Sequence, residues 1–143
     1  MGRQLAERFV NAGQSVRIFD LPQIDFYGDE DNDSIEINKG DITNADDVTW
    51  SVAGVDAVLH LAAILPPNSE RNRDVTFRVN VGGTENIIRA LEKTNPDAML
   101  VFTSSISTYG DTSTKEPPVK VTNSTRAIDI YADSQIEGEP NRR

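Results

Sequence analysis

Apolar side chains recur at helical spacing at the start of the chain, where Leu5, Phe9 and Val10 alternate with charged and amide residues until Gly13. This pattern predicts a helix from the first residues, closed by a glycine that accepts a left-handed cap. The period then shortens: "SVRIFDL" at 15–21 predicts a short strand that ends at Asp20, before the turn at Leu21-Pro22. The acidic, aperiodic "PQIDFYGDEDNDS" reads as a solvated loop. "IEINKGD" at 35–41 alternates as a strand does, and "NADDVTWSVAG" opens with an asparagine cap and acidic residues suited to the positive end of a helix dipole. "VDAVLHLAA" at 55–63 is a nearly continuous apolar run of strand length. A long helix is predicted over 74–95, with Val75, Val79, Ile87, Ile88 and Leu91 on its buried side, then a strand over 97–105. A turn-rich loop to about Thr125 leads to a last helix around Tyr131, which Gly138 and Pro140 end. Strands alternating with helices predict an α/β fold with a parallel sheet.

Composition narrows the choice of partners. The 143 residues are 37% hydrophobic and 26% charged, which suits one globular domain, and the net charge of −9 repels nucleic acid and anionic lipid. With no cysteine and one histidine, His60, the chain can build neither a disulfide framework nor a Cys/His metal cluster. No apolar run reaches membrane-spanning length, "MGRQLAERFV" is too polar for a signal peptide, and Ala6 stands where a myristoylation signal needs Ser or Thr. A cytoplasmic protein without metal, nucleic-acid or membrane partners is expected.

Open parallel sheets bind ligands at the carboxyl ends of their strands, and the candidate residues fall there. Asp20, 18 residues after Gly2, is near the spacing at which an acid accepts the ribose hydroxyls of NAD; it equally suits a residue that starts a turn. Asp41 in "GDITN" can meet an adenine edge or cap the next helix. Ser104, Ser105 and Ser107 leave the sheet in "VFTSSISTYG", where serine is also a common turn residue. Tyr131 lies 26 residues beyond Ser105 on a helix able to bring its phenol beside that hydroxyl, though a lone helix tyrosine is more often packing. Gly82 and Gly83 each cost a helix about 1 kcal/mol, acceptable where it must press closely on the sheet or a ligand. Asn80 is a polar side chain among apolar neighbours, and His60 reads as a satisfied strand histidine rather than a base.

Taken in order, Asp20, "GDITN", "HLAA", "VNVGGTEN", "VFTSSISTYG" and "YADSQIEGE" resemble the extended short-chain dehydrogenase/reductase family of NAD-dependent epimerases and dehydratases, from Gly2 to about Glu139. The resemblance implies a doubly wound, Rossmann-like sheet. It implies NAD held by Asp20, Asp41 and Ile42, a crevice lined by Ala62 and Ala63, Asn80 in the supporting helix, Ser105 positioning the substrate oxygen, and Tyr131 as acid/base. Nucleotide sugars are the expected substrates, ahead of steroid-like carbonyls, on family prevalence.

Three departures qualify that expectation. The family's Tyr-x-x-x-Lys has Gln135 in the lysine's place. An ammonium about 4 Å from a phenol supplies about 4 kcal/mol at an effective dielectric near 20, or about 3 pKa units, and an amide supplies none of it. Gly2 matches only the last glycine of the family's phosphate-binding Gly-x-x-Gly-x-x-Gly turn. The first strand, which the family places between those at 16–20 and 56–61, is missing along with the rest of that turn. The substrate domain expected after the tyrosine helix is missing too. The expectation is therefore a fragment, 1–143, of the NAD-binding domain, truncated at both ends. It should bind NAD weakly, be catalytically impaired, and self-associate through uncovered sheet edges. The alternatives are an active enzyme completed by missing sequence or a partner, and a non-catalytic nucleotide-sensing module.

Overall fold

A computed structural model of the chain describes residues 1–26, 32–113 and 116–140. Part of the expected acidic loop, residues 27–31, lies outside the described residues. The elements are α1 (Gly2–Asn11), β1 (Val16–Asp20), β2 (Ile35–Lys39), α2 (Ala45–Val52), β3 (Ala57–His60), α3 (Arg73–Phe77), α4 (Gly83–Thr94), β4 (Met99–Phe102) and α5 (Ile130–Gly138). This is an α/β chain in the order that its hydrophobic pattern predicts.

Local chemistry accounts for several boundaries. Asn44 caps α2, its side chain accepting from Asp46 N at 2.9 Å and Asp47 N at 3.4 Å. Arg17, in β1, reaches over to the other end of α2 and donates to the carbonyls of Ser51 at 3.0 Å and Ala53 at 2.7 Å, satisfying oxygens that the helix leaves open. The Asn95 amide likewise donates to the Val55 carbonyl, tying the end of α4 to the start of β3.

All observed strand pairing is parallel. β1 pairs with β2 from Val16 opposite Ile35 to Asp20 opposite Lys39. β3 pairs with β4 from Ala57 opposite Met99 to His60 opposite Phe102. The two ladders form separate sheets of two strands each, so the continuous doubly wound sheet that the resemblance implies is present here as two parallel pairs. Helices span the gap. The core consists of Ile42, Val48, Val52, Ile87, Ala90 and Leu91, with Phe19 of β1 and Val58 and Leu100 of β3 and β4 packed on it.

β3 and β4 stop short of the apolar runs that predicted them. Beyond the Thr103 amide, which donates to the His60 carbonyl at 3.2 Å, the chain leaves the ladder. Ile64 then exchanges its backbone hydrogen bonds with a side chain, that of Asn80. The β3–β4 sheet is also one-sided. Val58, His60, Leu100 and Phe102 point toward the helices, whereas Leu59, Met99 and Val101 on the opposite face are 36%, 65% and 45% exposed. Among the described residues no helix is long and apolar enough to cross a membrane.

Candidate active site at the carboxyl ends of the strands

The long predicted helix is one element with an irregularity in it. Between α3 and α4 the backbone widens into a π turn, Arg78–Gly82, with Asn80 and Val81 buried. A π turn inserts a residue into the helix and turns side chains away from the regular stripe. Here it turns Asn80 toward the loop after β3 and toward α5. The Asn80 Oδ1 accepts from Ile64 N at 2.7 Å, and its Nδ2 donates to the Ile64 carbonyl at 3.2 Å and to Ser134 Oγ at 2.9 Å. Ser134 Oγ in turn donates to the Tyr131 carbonyl at 2.8 Å. One amide thus joins the crevice loop carrying Ala62 and Ala63 to the tyrosine helix.

His60 ends β3 under the same turn. Thr84 Oγ1 donates to the Asn80 carbonyl at 2.7 Å, so its 3.0 Å contact with His60 Nε2 has the imidazole N–H as donor. Burial pushes the imidazole pKa down to about 4, which leaves the ring neutral at pH 7. It is a satisfied strand histidine, as its setting in the sequence suggests, and among the described residues no carboxylate is bonded to it.

Gly83 carries the close approach expected of the glycine pair. A Cβ there would stand 2.9 Å from Ile42 Cγ1, whereas one on Gly82 would meet nothing within 4 Å. The Ile42 side chain accordingly lies in the core, and its carbonyl accepts from Asn86 Nδ2 at 3.0 Å. Asp41 folds back on its own loop, its Oδ1 accepting from Thr43 N at 2.8 Å and Thr43 Oγ1 at 2.9 Å. Asp20 is exposed at the end of β1, with Oδ1 on Leu21 N at 2.8 Å. Gly2 opens α1, which has no side-chain cap and no acid in its first turn. The positive end of the α1 dipole favours an anion there.

Ser105 caps a 3-10 turn, Ile106–Tyr109, and its Oγ accepts from Ser107 N at 3.2 Å and donates to Ser107 Oγ at 3.0 Å. The Ser107 hydroxyl keeps its own proton for a further acceptor. Ser104 is occupied differently, donating to Glu139 Oε1 at 2.8 Å. α5 packs on both this serine turn and the π turn. Tyr131 is half-buried in the first turn of α5, and Gln135, one turn on, is 3% exposed. The Gln135 Oε1 is buried without a partner among the described residues. Tyr131 and Gln135 thus lie on a helix that touches the elements carrying Ser105 and Asn80, while Asp20 and Asp41 stand at the ends of the other sheet.

Two residues of this assembly have no counterpart in the sequence reading. Ser134 is the bridge from Asn80 to α5. Glu70, in the 3-10 turn Asn68–Arg71, accepts from Ile130 N and Tyr131 N at 2.9 and 3.1 Å. The Ser69 hydroxyl, then the Ile130 and Tyr131 amides, hold the Glu70 pKa below the ordinary carboxylate value against a smaller opposing effect of desolvation. Neither residue has a motif spacing that marks it.

The arrangement fits a dinucleotide. Asp20 is exposed with one oxygen unbonded among the described residues, α1 has no side-chain cap, and Gln135 Oε1 is an orphaned buried acceptor on the tyrosine helix.

Comparison with known proteins agrees with this picture. A model of the 3-beta hydroxysteroid dehydrogenase/isomerase family matches residues 1–139. The chain is 25% identical over 136 residues to human sterol-4-alpha-carboxylate 3-dehydrogenase, decarboxylating, covering 95% of this chain and 35% of that protein. It is 28% identical over 149 residues to a 3-beta-hydroxysteroid dehydrogenase of Mycolicibacterium neoaurum, covering 97% of this chain and 38% of that one. Among solved structures, a short-chain dehydrogenase/reductase superfamily protein of Agrobacterium tumefaciens with bound NAD superimposes with a TM-score of 0.78 at 28% identity. The match covers 96% of this chain and 39% of that one. The chain therefore spans little more than a third of these relatives. Within that span the Rossmann-like fold coincides with the expected one, and the chain belongs to the 3-beta hydroxysteroid dehydrogenase/isomerase family.

Proposed function

We propose that residues 1–143 are a partial NAD-binding domain that carries the proton-transfer helix of a hydroxysteroid-type dehydrogenase, with its chemistry slowed by Gln135. The observation that carries this reading is the buried, uncharged amide one turn beyond Tyr131, in the place of the family's lysine. Bound NAD would supply the hydride acceptor, held by Asp20, Asp41, the α1 amides from Gly2 onward, Ala62, Ala63 and Gln135. Tyr131 takes the proton of the substrate hydroxyl as the carbonyl forms, and the Ser105–Ser107 pair orients the oxygen. Asn80 supports both sides of the crevice. Gln135 can hydrogen-bond a ribose but brings no charge to stabilise a phenolate.

The apolar surroundings favour a steroid-like ring alcohol over the nucleotide sugar that family prevalence suggests. Leu65, Ile106 and Ile128 are 55%, 68% and 64% exposed; they follow the crevice alanines, adjoin Ser105 and precede the tyrosine helix. Two named relatives act, by their names, on sterol or steroid substrates. A sequence without cysteine supports a cytoplasmic location. The open face of β3 and β4 supports self-association.

Titration with NAD, followed by assay of NADH formation with a 3β-hydroxysteroid and with a UDP-sugar, tests the reading. Slow oxidation of the steroid that disappears in Tyr131→Phe is expected, and preference for the UDP-sugar would overturn the substrate class. Gln135 also favours a second reading, nucleotide binding without chemistry. NAD affinity with no turnover of either substrate would select it.

A further inference from the structure

The segment between β3 and α3 carries the crevice alanines in its first half, and its second half, the turn Asn68–Arg71, brings a carboxylate to the proton-transfer helix. A helix leaves its first amide hydrogens without acceptors of its own. In α5 those of Ile130, Tyr131 and Ala132 are taken by two carboxylates. Asp129 accepts from Ala132 N at 2.7 Å, and Glu70 accepts from Ile130 N at 2.9 Å and Tyr131 N at 3.1 Å. The two acids do different jobs. Asp129 belongs to the helix it caps and moves with it, whereas Glu70 is anchored elsewhere and fixes the helix end relative to the rest of the fold.

That anchor is firm. Ser69 Oγ donates to Glu70 Oε1 at 2.7 Å, and the carbonyl of the fully buried Ser69 accepts from Thr76 Oγ1 of α3 at 2.8 Å. One turn along α5, Asp133 pairs at 2.7 Å with Arg73 of α3, whose guanidinium lies 3.8 Å over the Phe77 ring. The 68–77 segment thus grips α5 at two levels, and the upper grip is on the backbone of Tyr131 itself.

We propose that Glu70 is a positioning residue for Tyr131, its carboxylate fixing the first turn of α5, which packs on the Ser105 turn, and so the place of the phenol. The proposal rests on the reading of Tyr131 as the proton-transfer residue. Its importance follows from how steeply reaction rates fall with misplacement, about a hundredfold for 1 Å.

The test uses the 143-residue chain and its Glu70→Ala, Glu70→Gln and Tyr131→Phe variants, with amide exchange, Tyr131 ring NMR signals and NAD-dependent steroid oxidation as readouts. Glu70→Ala should speed exchange at Ile130 and Tyr131 by about tenfold or more and leave Leu91 in α4 protected, which shows that the fold is retained. It should also move the Tyr131 ring signals and lower kcat with little change in KM. Glu70→Gln keeps one acceptor oxygen, so it should restore part of each effect and serves if the alanine variant does not fold. Ring signals and kcat unmoved in Glu70→Ala would overturn the proposal alone. Turnover that survives in Tyr131→Phe would overturn the proton-transfer reading and the proposal with it.

Discussion

Acid should weaken this fold through one side chain, His60. The imidazole is 4% exposed, donates from Nε2 to Thr84, and has its pKa lowered from 6.5 to about 4 by burial. Because the folded value lies below the unfolded one, the unfolded chain binds more protons between the two. The stabilisation is fully present above pH 6.5 and is lost as pH falls through that window to about 4. At 1.36 kcal/mol per pKa unit the full loss is about 3 kcal/mol, a large part of the stability of a marginal domain. The chain has one histidine, so no second imidazole blurs the measurement. Glu70, whose pKa is also lowered, has its effect in a lower window, present above 4.5 and lost as pH falls through its folded value. Urea unfolding at a series of pH values between 7 and 4.5 should show stability falling with a slope approaching about 1.4 kcal/mol per pH unit near pH 5. His60→Gln should flatten that slope while lowering stability at pH 7. A wild-type curve flat from pH 7 to 5, or a slope unchanged in His60→Gln, would refute the reasoning.

Other substitutions separate packing from chemistry. Gly83→Ala should destabilise by about 1–3 kcal/mol because its Cβ would meet Ile42 at 2.9 Å. Gly82→Ala, at φ −61 and ψ −37 in open space, should stabilise by about 1 kcal/mol; equal effects in urea titrations would contradict the distinction. Gln135→Met removes an acceptor that has no partner among the described residues and should stay within about 1 kcal/mol of wild type. Gln135→Lys puts a charge in a site only 3% exposed and should lower the thermal midpoint, by about 2 kcal/mol of stability, unless NAD is added.

What the sequence disclosed and what it hid follow from the range of the interactions. The Asn44 cap, the acidic first turn of α2 and the succession of strands and helices along the chain depend on neighbours within a few residues, so pattern alone finds them. His60 is legible because an apolar run surrounds it. The ladder ends are not, because Ile64 leaves the strand for Asn80, 16 residues away. Glu70 was invisible for the same reason: "PPNSERNRD" has no periodicity, and its partner amides lie 60 and 61 residues on. The glycine pair was legible only as a pair, since it takes the position of Ile42 to show that one of the two is under steric constraint. Of the candidate site, the residue types at the strand ends were readable. The side-chain network that binds the crevice loop to α5 was not.

The π turn sets the phase between two halves of a helix that read different surfaces. Before it, Arg73 and Thr76 face α5 and the Ser69 turn; after it, Thr84, Ile87 and Leu91 face His60 and the core. Each residue added or removed in a helix turns everything beyond it by about 100°. Deleting a single residue from Arg78–Gly82, which already absorbs one extra, would instead let the turn relax to regular helix with both halves keeping their facings, and would carry Asn80 off its partners in the loop after β3 and in α5. The core would survive and the crevice would come apart. Length is thus constrained across these five positions together with the identity of Asn80, whose three hydrogen bonds depend on both.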